Sequence, residues 1–153
     1  MKKTIVVLLL SLSLLNFTCI TTFSESQQPQ ITTLVEELKS ISESINLNMR
    51  SLIGNKYDKN DMMKQLQFLS TRLNDVLLET NKKENLKDNL KDNNLLKRRE
   101  YITASTIAST YLLAVNSMML SVENENNYEY VLDAAQEIQN GDYILNSLAS
   151  KIK

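Results

Sequence analysis

Turn-forming residues are almost missing from this chain, and their scarcity limits its fold more than any other feature of the sequence. The 153 residues include two glycines and one proline. A sheet protein needs frequent turns, and those turns draw heavily on glycine and proline. The sequence therefore favours long helices joined by few connections. A chain of this length can bury roughly two-thirds of its unfolded surface, so a core without disulfides is possible.

Apolar residues recur at helical spacing in four segments, and each segment is predicted to form an amphipathic helix. The predicted helices cover approximately residues 33–53, 60–79, 101–122 and 127–152. Gly54 marks the end of the first helix, and Asp58 or Asn60 supplies the N-cap of the second. Short connections favour antiparallel neighbours. The predicted fold is therefore an all-α, antiparallel up-down four-helix bundle with coiled-coil-like seams over residues 32–153.

The third predicted helix has no charged residue between Tyr101 and Val122. Its length would allow a membrane span, but eight of its 22 positions are Ser, Thr or Asn. In an exported chain, the basic residues before it would also lie outside the membrane, against the positive-inside tendency. We therefore predict the central helix of a soluble bundle, in which small residues such as Ala104 and Ala108 let neighbouring helices approach closely.

The fourth predicted helix contains a glycine, Gly141, with apolar positions in phase on both sides of it. We place Gly141 inside the helix, at a cost of about 1 kcal/mol relative to alanine, where it marks a kink or a close contact. Asp142 falls on the apolar seam beside it. Two positions are open to this carboxylate: a buried one next to Tyr111 or a lysine, and an exposed one at a kink. Of these, we expect the exposed one.

The start of the chain is typical of an export signal. Two lysines precede an apolar run from Ile5 to Leu15, which has the length of a signal peptide and is short for a membrane anchor. Small and polar residues follow, and a cleavage site fits after Ser24. We predict a signal peptide over residues 1–24 and a flexible tether over residues 25–31. The localisation that follows is secreted, periplasmic or at the cell surface.

Cys19 is the only cysteine of the chain. It lies just after the apolar run, where lipoprotein signals place the cysteine that receives the lipid. Phe17 and Thr18 stand where such signals have small residues. We favour a cysteine that is removed with the leader and keep lipidation at Cys19, with a lipid anchor as the membrane contact, as the alternative. In either case the mature bundle contains no disulfide.

The segment from Leu15 to Cys19 and the Asn- and Lys-rich helical body together resemble the all-helical surface lipoproteins of spirochaetes. The resemblance involves no specific motif. It implies a surface location and, as in some of those proteins, binding of a host protein. No binding residue can be carried over from it.

Several classes of function are disfavoured by the residues that the chain lacks. It has no histidine to activate a serine or to complete the Glu-x-x-His pairs of di-metal bundles. We therefore predict no catalytic residue, no metal site and no cofactor. The formal net charge of −1 argues against a generally basic nucleic-acid binder.

Charge is uneven along the chain. Residues 123–142 carry six acidic side chains and no cation, whereas residues 82–99 carry seven cations. Five of these cations form a candidate interaction patch for an acidic partner, a polyanion or lipid head groups: Lys87, Lys91, Lys97, Arg98 and Arg99. We favour ordinary surface charge over that role. Whether residues 82–94 form helix or loop is left open, with helix favoured over much of this segment.

These observations predict an exported or surface-tethered, non-catalytic helical bundle that binds another macromolecule, with a protein as the expected partner. Tyr128 and Tyr130, at the start of the acidic helix, are candidate anchors for such a contact. The alternative is a structural or assembly protein. In that case the helix over residues 101–122 mediates homo-oligomerisation or packs in a membrane complex.

Overall fold

A computed structural model of the chain describes residues 31–84, 94–124 and 127–152, which belong to one unit of the molecule. All regular elements within these ranges are α-helices. The four helices are α1 (Ile31–Ile53), α2 (Lys59–Glu84), α3 (Asn94–Glu123) and α4 (Tyr128–Ala149). The predicted signal peptide, Cys19 and residues 25–30 of the predicted tether lie outside the described residues. Ile31, predicted as the last residue of the tether, is instead the first residue of α1.

The helices form the predicted antiparallel up-down bundle. Residues of the α1–α2 turn and residues around the α3–α4 turn line the same depression, so both turns lie at one end of the bundle. The most extensive contacts join α3 to α4 and α3 to α2, and α1 contacts each of the other three helices. The interior is built almost entirely from aliphatic side chains and methionines of all four helices, with Tyr111 as its largest fully buried side chain.

Helix α3 is central because its small side chains let other helices approach it. Ala104, Ala108 and Ala114 are completely buried. Large side chains at these positions would hold the neighbouring helices apart. α3 is also long and apolar enough to span a membrane over Arg98–Glu123, with a mean hydropathy of 1.2. In this fold its apolar seam is covered by α1, α2 and α4.

Local hydrogen bonds set where the helices end. α1 stops after Ile53, where Asn55 takes a left-handed conformation with φ 48°. The amides of Asn55 and Lys56 donate to the carbonyls of Leu52 and Ser51, which is the Schellman pattern. Gly54 thus lies at the predicted stop, although its neighbour Asn55 adopts the positive φ.

The N-caps of α2 and α4 are side chains with an acceptor oxygen. The Asp58 carboxylate accepts from the amide of Asp61, so it is the N-cap of α2. Asn127 caps α4 by accepting from the amide of Glu129. Of the two candidates for the second helix, Asp58 rather than Asn60 is therefore the cap.

Two helices extend far beyond the bounds predicted from periodicity, and α1 begins two residues early, at Ile31. α2 continues to Glu84, so Lys82 and Lys83 belong to it, and α3 begins at Asn94 rather than near Tyr101. The added residues of α3 are mainly leucine, lysine, arginine and glutamate, which are good helix formers. Residues 85–93, over most of which we expect helix, lie outside the described residues.

Candidate binding surfaces

A polar cluster joins three helices around Asp142 of α4. One carboxylate oxygen, Oδ1, accepts from the Ser42 hydroxyl at 2.6 Å and from the Tyr111 hydroxyl at 2.5 Å. The other oxygen, Oδ2, accepts from the Asn46 amide at 3.3 Å. Ser42 and Asn46 belong to α1, and Tyr111 belongs to α3. Asp142 therefore links α1, α3 and α4 through three side-chain donors.

The expectation of an exposed Asp142 is wrong. This residue is half-buried and accepts a hydrogen bond from Tyr111, which is the other of the two positions open to it. The physical reason is that α3 and α4 approach closely enough to bring the Tyr111 hydroxyl to the seam. Three accepted hydrogen bonds offset much of the free-energy cost of removing this carboxylate from water.

The close approach itself depends on Gly141. A Cβ atom at this position would overlap Cε1 of the Tyr111 ring, well inside van der Waals contact. The tyrosine ring thus occupies the space that any other residue at position 141 would fill. Gly141 lies inside α4, as predicted, and marks a close contact.

Burial of Tyr111 raises the pKa of its hydroxyl far above the ordinary value of 10, and donation to Asp142 raises the pKa further. The phenol therefore remains a neutral donor at physiological pH. The cluster opens into a depression between α1 and α4 of about 500 Å³, which Glu43 and Arg50 also line. Its polar groups satisfy one another, and we interpret the cluster as a structural tie between helices.

The described residues contain no group of three or more His, Cys, Asp or Glu side chains placed to hold a metal ion.

A second depression lies at the turn end of the bundle and has a volume of about 420 Å³. Its apolar lining includes Leu52, Ile53, Tyr57, Tyr128 and Val131. Ile53 and Tyr128 are largely exposed, Tyr128 to 76%. We call this site the turn-end depression.

One polar group of the turn-end depression has no partner inside the bundle. Ser121 is only 7% exposed and lines this depression. Its hydroxyl makes no hydrogen bond to any residue that the structure describes. This hydroxyl can therefore offer a donor and an acceptor to a group that enters the depression.

The outer face of α3 is the third surface of interest. We define it as the exposed residues of α3 between positions 99 and 123, which are Arg99, Ile102, Thr106, Ser109, Leu113, Asn116, Leu120 and Glu123. The six residues between the terminal arginine and glutamate carry no charge, and three of them are large aliphatic side chains. A helix face in contact with water alone usually carries more charge than this.

The predicted basic patch is only partly within the described residues. Lys87 and Lys91 lie outside them, as does the side chain of Lys97. Arg98 is half-buried and Arg99 is exposed on the first turns of α3. These two neighbours thus face different surroundings, and Arg99 belongs to the outer face of α3.

No known family model matches the chain, and no curated protein and no solved structure shows significant similarity to it.

Sequence reasoning found Tyr128 as a candidate anchor and the uncharged character of α3, but it missed two features of these surfaces. Ser121 is one of several serines of α3, and nothing in its spacing shows that a turn leaves its hydroxyl facing a depression. The outer face could not be identified from the sequence because apolar residues recur on several sides of α3. Only packing decides which apolar side remains exposed.

Proposed function

We propose that this chain is an exported, non-catalytic helical bundle that binds a protein partner at its turn-end depression. The predicted leader supports export, and the missing histidine and cysteine chemistry supports a role without catalysis. The observation that carries the proposal is the turn-end depression, which the exposed side chains of Tyr128 and Ile53 line together with the largely buried Ser121.

This combination matches how protein interfaces obtain their affinity. Tyrosine is enriched at interface centres, because it buries a large apolar surface while its hydroxyl keeps a hydrogen bond. A volume of about 420 Å³ lies within the range of cavities that receive ligands or anchoring side chains. We expect the partner to insert a bulky apolar side chain that carries a polar group within reach of Ser121.

The test is photo-crosslinking of the full-length protein in its producing cells and in host serum. A photoreactive phenylalanine derivative replaces Tyr128 in one variant and Tyr143 in the other. Both tyrosines belong to α4 and are similarly exposed, 76% and 78%, but only Tyr128 lines the turn-end depression. We expect one discrete adduct from position 128 and none of that mass from position 143.

Affinity for the captured partner then checks the contact itself. Tyr128→Ser is expected to weaken binding by at least tenfold, as truncation of an interface anchor does, whereas Tyr143→Ser leaves binding unchanged. Equal adducts from both positions, or equal losses in both serine variants, would rule out the turn-end depression as the binding site.

A second candidate function is assembly through α3, and a separate observation favours it. The outer face of α3 is uncharged over six exposed positions and includes Ile102, Leu113 and Leu120. A helix face in contact with water alone usually carries charge, so this uncharged face favours a contact site. In this function the chain acts as a structural component that joins copies of itself or packs in a larger complex.

A further inference from the structure

The exposed positions on the outer face of α3 are symmetric about the middle of the helix. Its eight residues lie at equal distances on either side of position 111. Ser109 and Leu113 lie two residues from this centre, Thr106 and Asn116 five, Ile102 and Leu120 nine, and Arg99 and Glu123 twelve. Each step along the face is three or four residues, the spacing of a helix seam that meets another helix.

We propose that this face pairs with the same face of a second copy of the chain, in an antiparallel dimer whose two-fold axis passes at the level of Tyr111. The inference rests on the assembly function proposed above and names its partner. In such an isologous contact every residue meets its counterpart at the equal distance from the axis. The pairing is therefore fixed by the sequence of the face alone.

Charge is the strongest reason for the antiparallel direction. Arg99 of one copy would face Glu123 of the other. Because of the two-fold symmetry, the dimer contains two such opposite-charge pairs. Both side chains are exposed in the isolated bundle. A parallel pairing would place arginine against arginine and glutamate against glutamate. Opposite charges at an interface rim select the orientation of the partner, because the wrong orientation is repelled.

The inner positions match by size and polarity as well. Ile102 would face Leu120, so two aliphatic side chains cover each other on each side of the axis. Ser109 would face Leu113, which places a small side chain opposite a large one. Such alternation lets the side chains of two helices interdigitate. Antiparallel helices also place the positive end of one helix dipole beside the negative end of the other.

Desolvation of Thr106 is also inexpensive. The Thr106 hydroxyl already donates to the carbonyl of Ile102 at 3.0 Å. Its donor therefore keeps a partner when water leaves the face. The opposite residue in the proposed dimer is Asn116, whose side-chain amide can donate to the same threonine oxygen. The face can thus become buried without an unpaired hydroxyl at this position.

Charge reversal on the full-length chain tests the pairing, with sedimentation velocity from about 1 µM to about 100 µM. A reductant in all samples prevents disulfides through Cys19. We expect a reversible dimer that Arg99→Glu and Glu123→Arg each weaken about tenfold, because each change replaces two attractive pairs by two repulsive ones.

The double variant Arg99→Glu/Glu123→Arg restores the attraction and the wild-type dissociation constant. Lys56→Glu, an exposed charge reversal away from the face, serves as the control and leaves the dimer unchanged.

Photo-crosslinking from position 102 then determines the register of the two paired helices. In mixtures of isotopically light and heavy chains, the expected cross-links join position 102 of one copy to residues around Leu120 of the other. Cross-links from position 102 to position 102 would overturn the antiparallel arrangement. A dimer that neither single reversal weakens would overturn the pairing while leaving the assembly function standing. A chain that stays monomeric over the whole concentration range would overturn both.

Discussion

At the scale of single residues, Gly141 and Tyr111 form the most demanding contact of the bundle. The ring passes over the glycine, and its hydroxyl ends on the Asp142 carboxylate. A hydrogen bond at one end of the ring therefore limits how far the ring can move at the other. Adding a single methyl group at position 141 should therefore lower the free energy of unfolding measurably.

Replacing Gly141 by alanine is predicted to lower the free energy of unfolding by about 2 kcal/mol, since an overpacking cost of up to about 3 kcal/mol outweighs a helix-propensity gain of about 1 kcal/mol. Urea unfolding followed by circular dichroism measures the change. In a Tyr111→Leu background the ring is absent, and the same substitution should then be neutral or stabilising. Equal losses in both backgrounds would mean that the ring does not limit position 141.

The hydrogen bond from Tyr111 gives a second prediction at this scale. Tyr111→Phe removes a donor from a carboxylate and is expected to cost about 1.5 to 3 kcal/mol. Burial and the bond to Asp142 hold the pKa of Tyr111 above its value in the unfolded chain. This contribution to stability is therefore complete below the unfolded pKa of about 10 and declines as the pH rises above it.

The measurement is the urea midpoint of the wild type and of Tyr111→Phe between about pH 8 and pH 11. The difference in stability between the wild type and the phenylalanine variant should decrease progressively as the pH rises above 10. Tyr101, whose pKa is also raised by burial and then by Glu100 and Glu79, is present in both proteins and cancels in the comparison. A difference that is constant over the whole pH range would contradict the assignment.

At the scale of the helices, α3 holds the bundle together because alanines line its seam. Ala108 is completely buried among helices that approach closely. Ala108→Leu is predicted to destabilise the fold by about 1 to 3 kcal/mol, because the added atoms must push a neighbouring helix away. Gln139→Leu, the same apolar side chain at an exposed position of α4, should change stability by less than about 0.5 kcal/mol in thermal unfolding. Similar effects of the two variants would contradict a close contact at Ala108.

The helices themselves could be predicted from periodicity, since apolar residues such as Leu38, Ile41 and Ile45 repeat at a spacing that only a helix brings to one side. The start of α3 could not, because Asn94 to Glu100 contains no apolar stripe and depends on propensity alone. The sequence predicts the Asp142 cluster only as one of two alternatives. Sequence shows a carboxylate on an apolar seam, but the distance between two helices decides whether a donor reaches it.

At the scale of the whole molecule, the proposed export step determines what surrounds the bundle. If residues 1–24 are removed, the mature chain begins at Glu25 and remains in the aqueous phase of a detergent partition. If Cys19 receives a lipid, the mature chain begins at Cys19 and moves to the detergent phase, and globomycin blocks its processing.

We expect the first outcome, an unmodified chain that begins near Glu25. Intact-mass measurement of the protein recovered from producing cells distinguishes the two products. A chain that keeps Met1 and is not released from the cytoplasm would contradict export. It would leave the bundle and its surfaces as described.

The shared space of the ring and the glycine also constrains how the chain can change over generations. A lineage that gains a side chain at position 141 while it keeps the Tyr111 ring loses stability through the clash. A lineage that loses the ring first loses the hydrogen bond to Asp142 and leaves a cavity, so either order passes through a less stable protein. We therefore expect glycine at position 141 and tyrosine at position 111 to be retained together in related sequences. Distant descendants would be recognisable by this pair long after their surfaces had diverged.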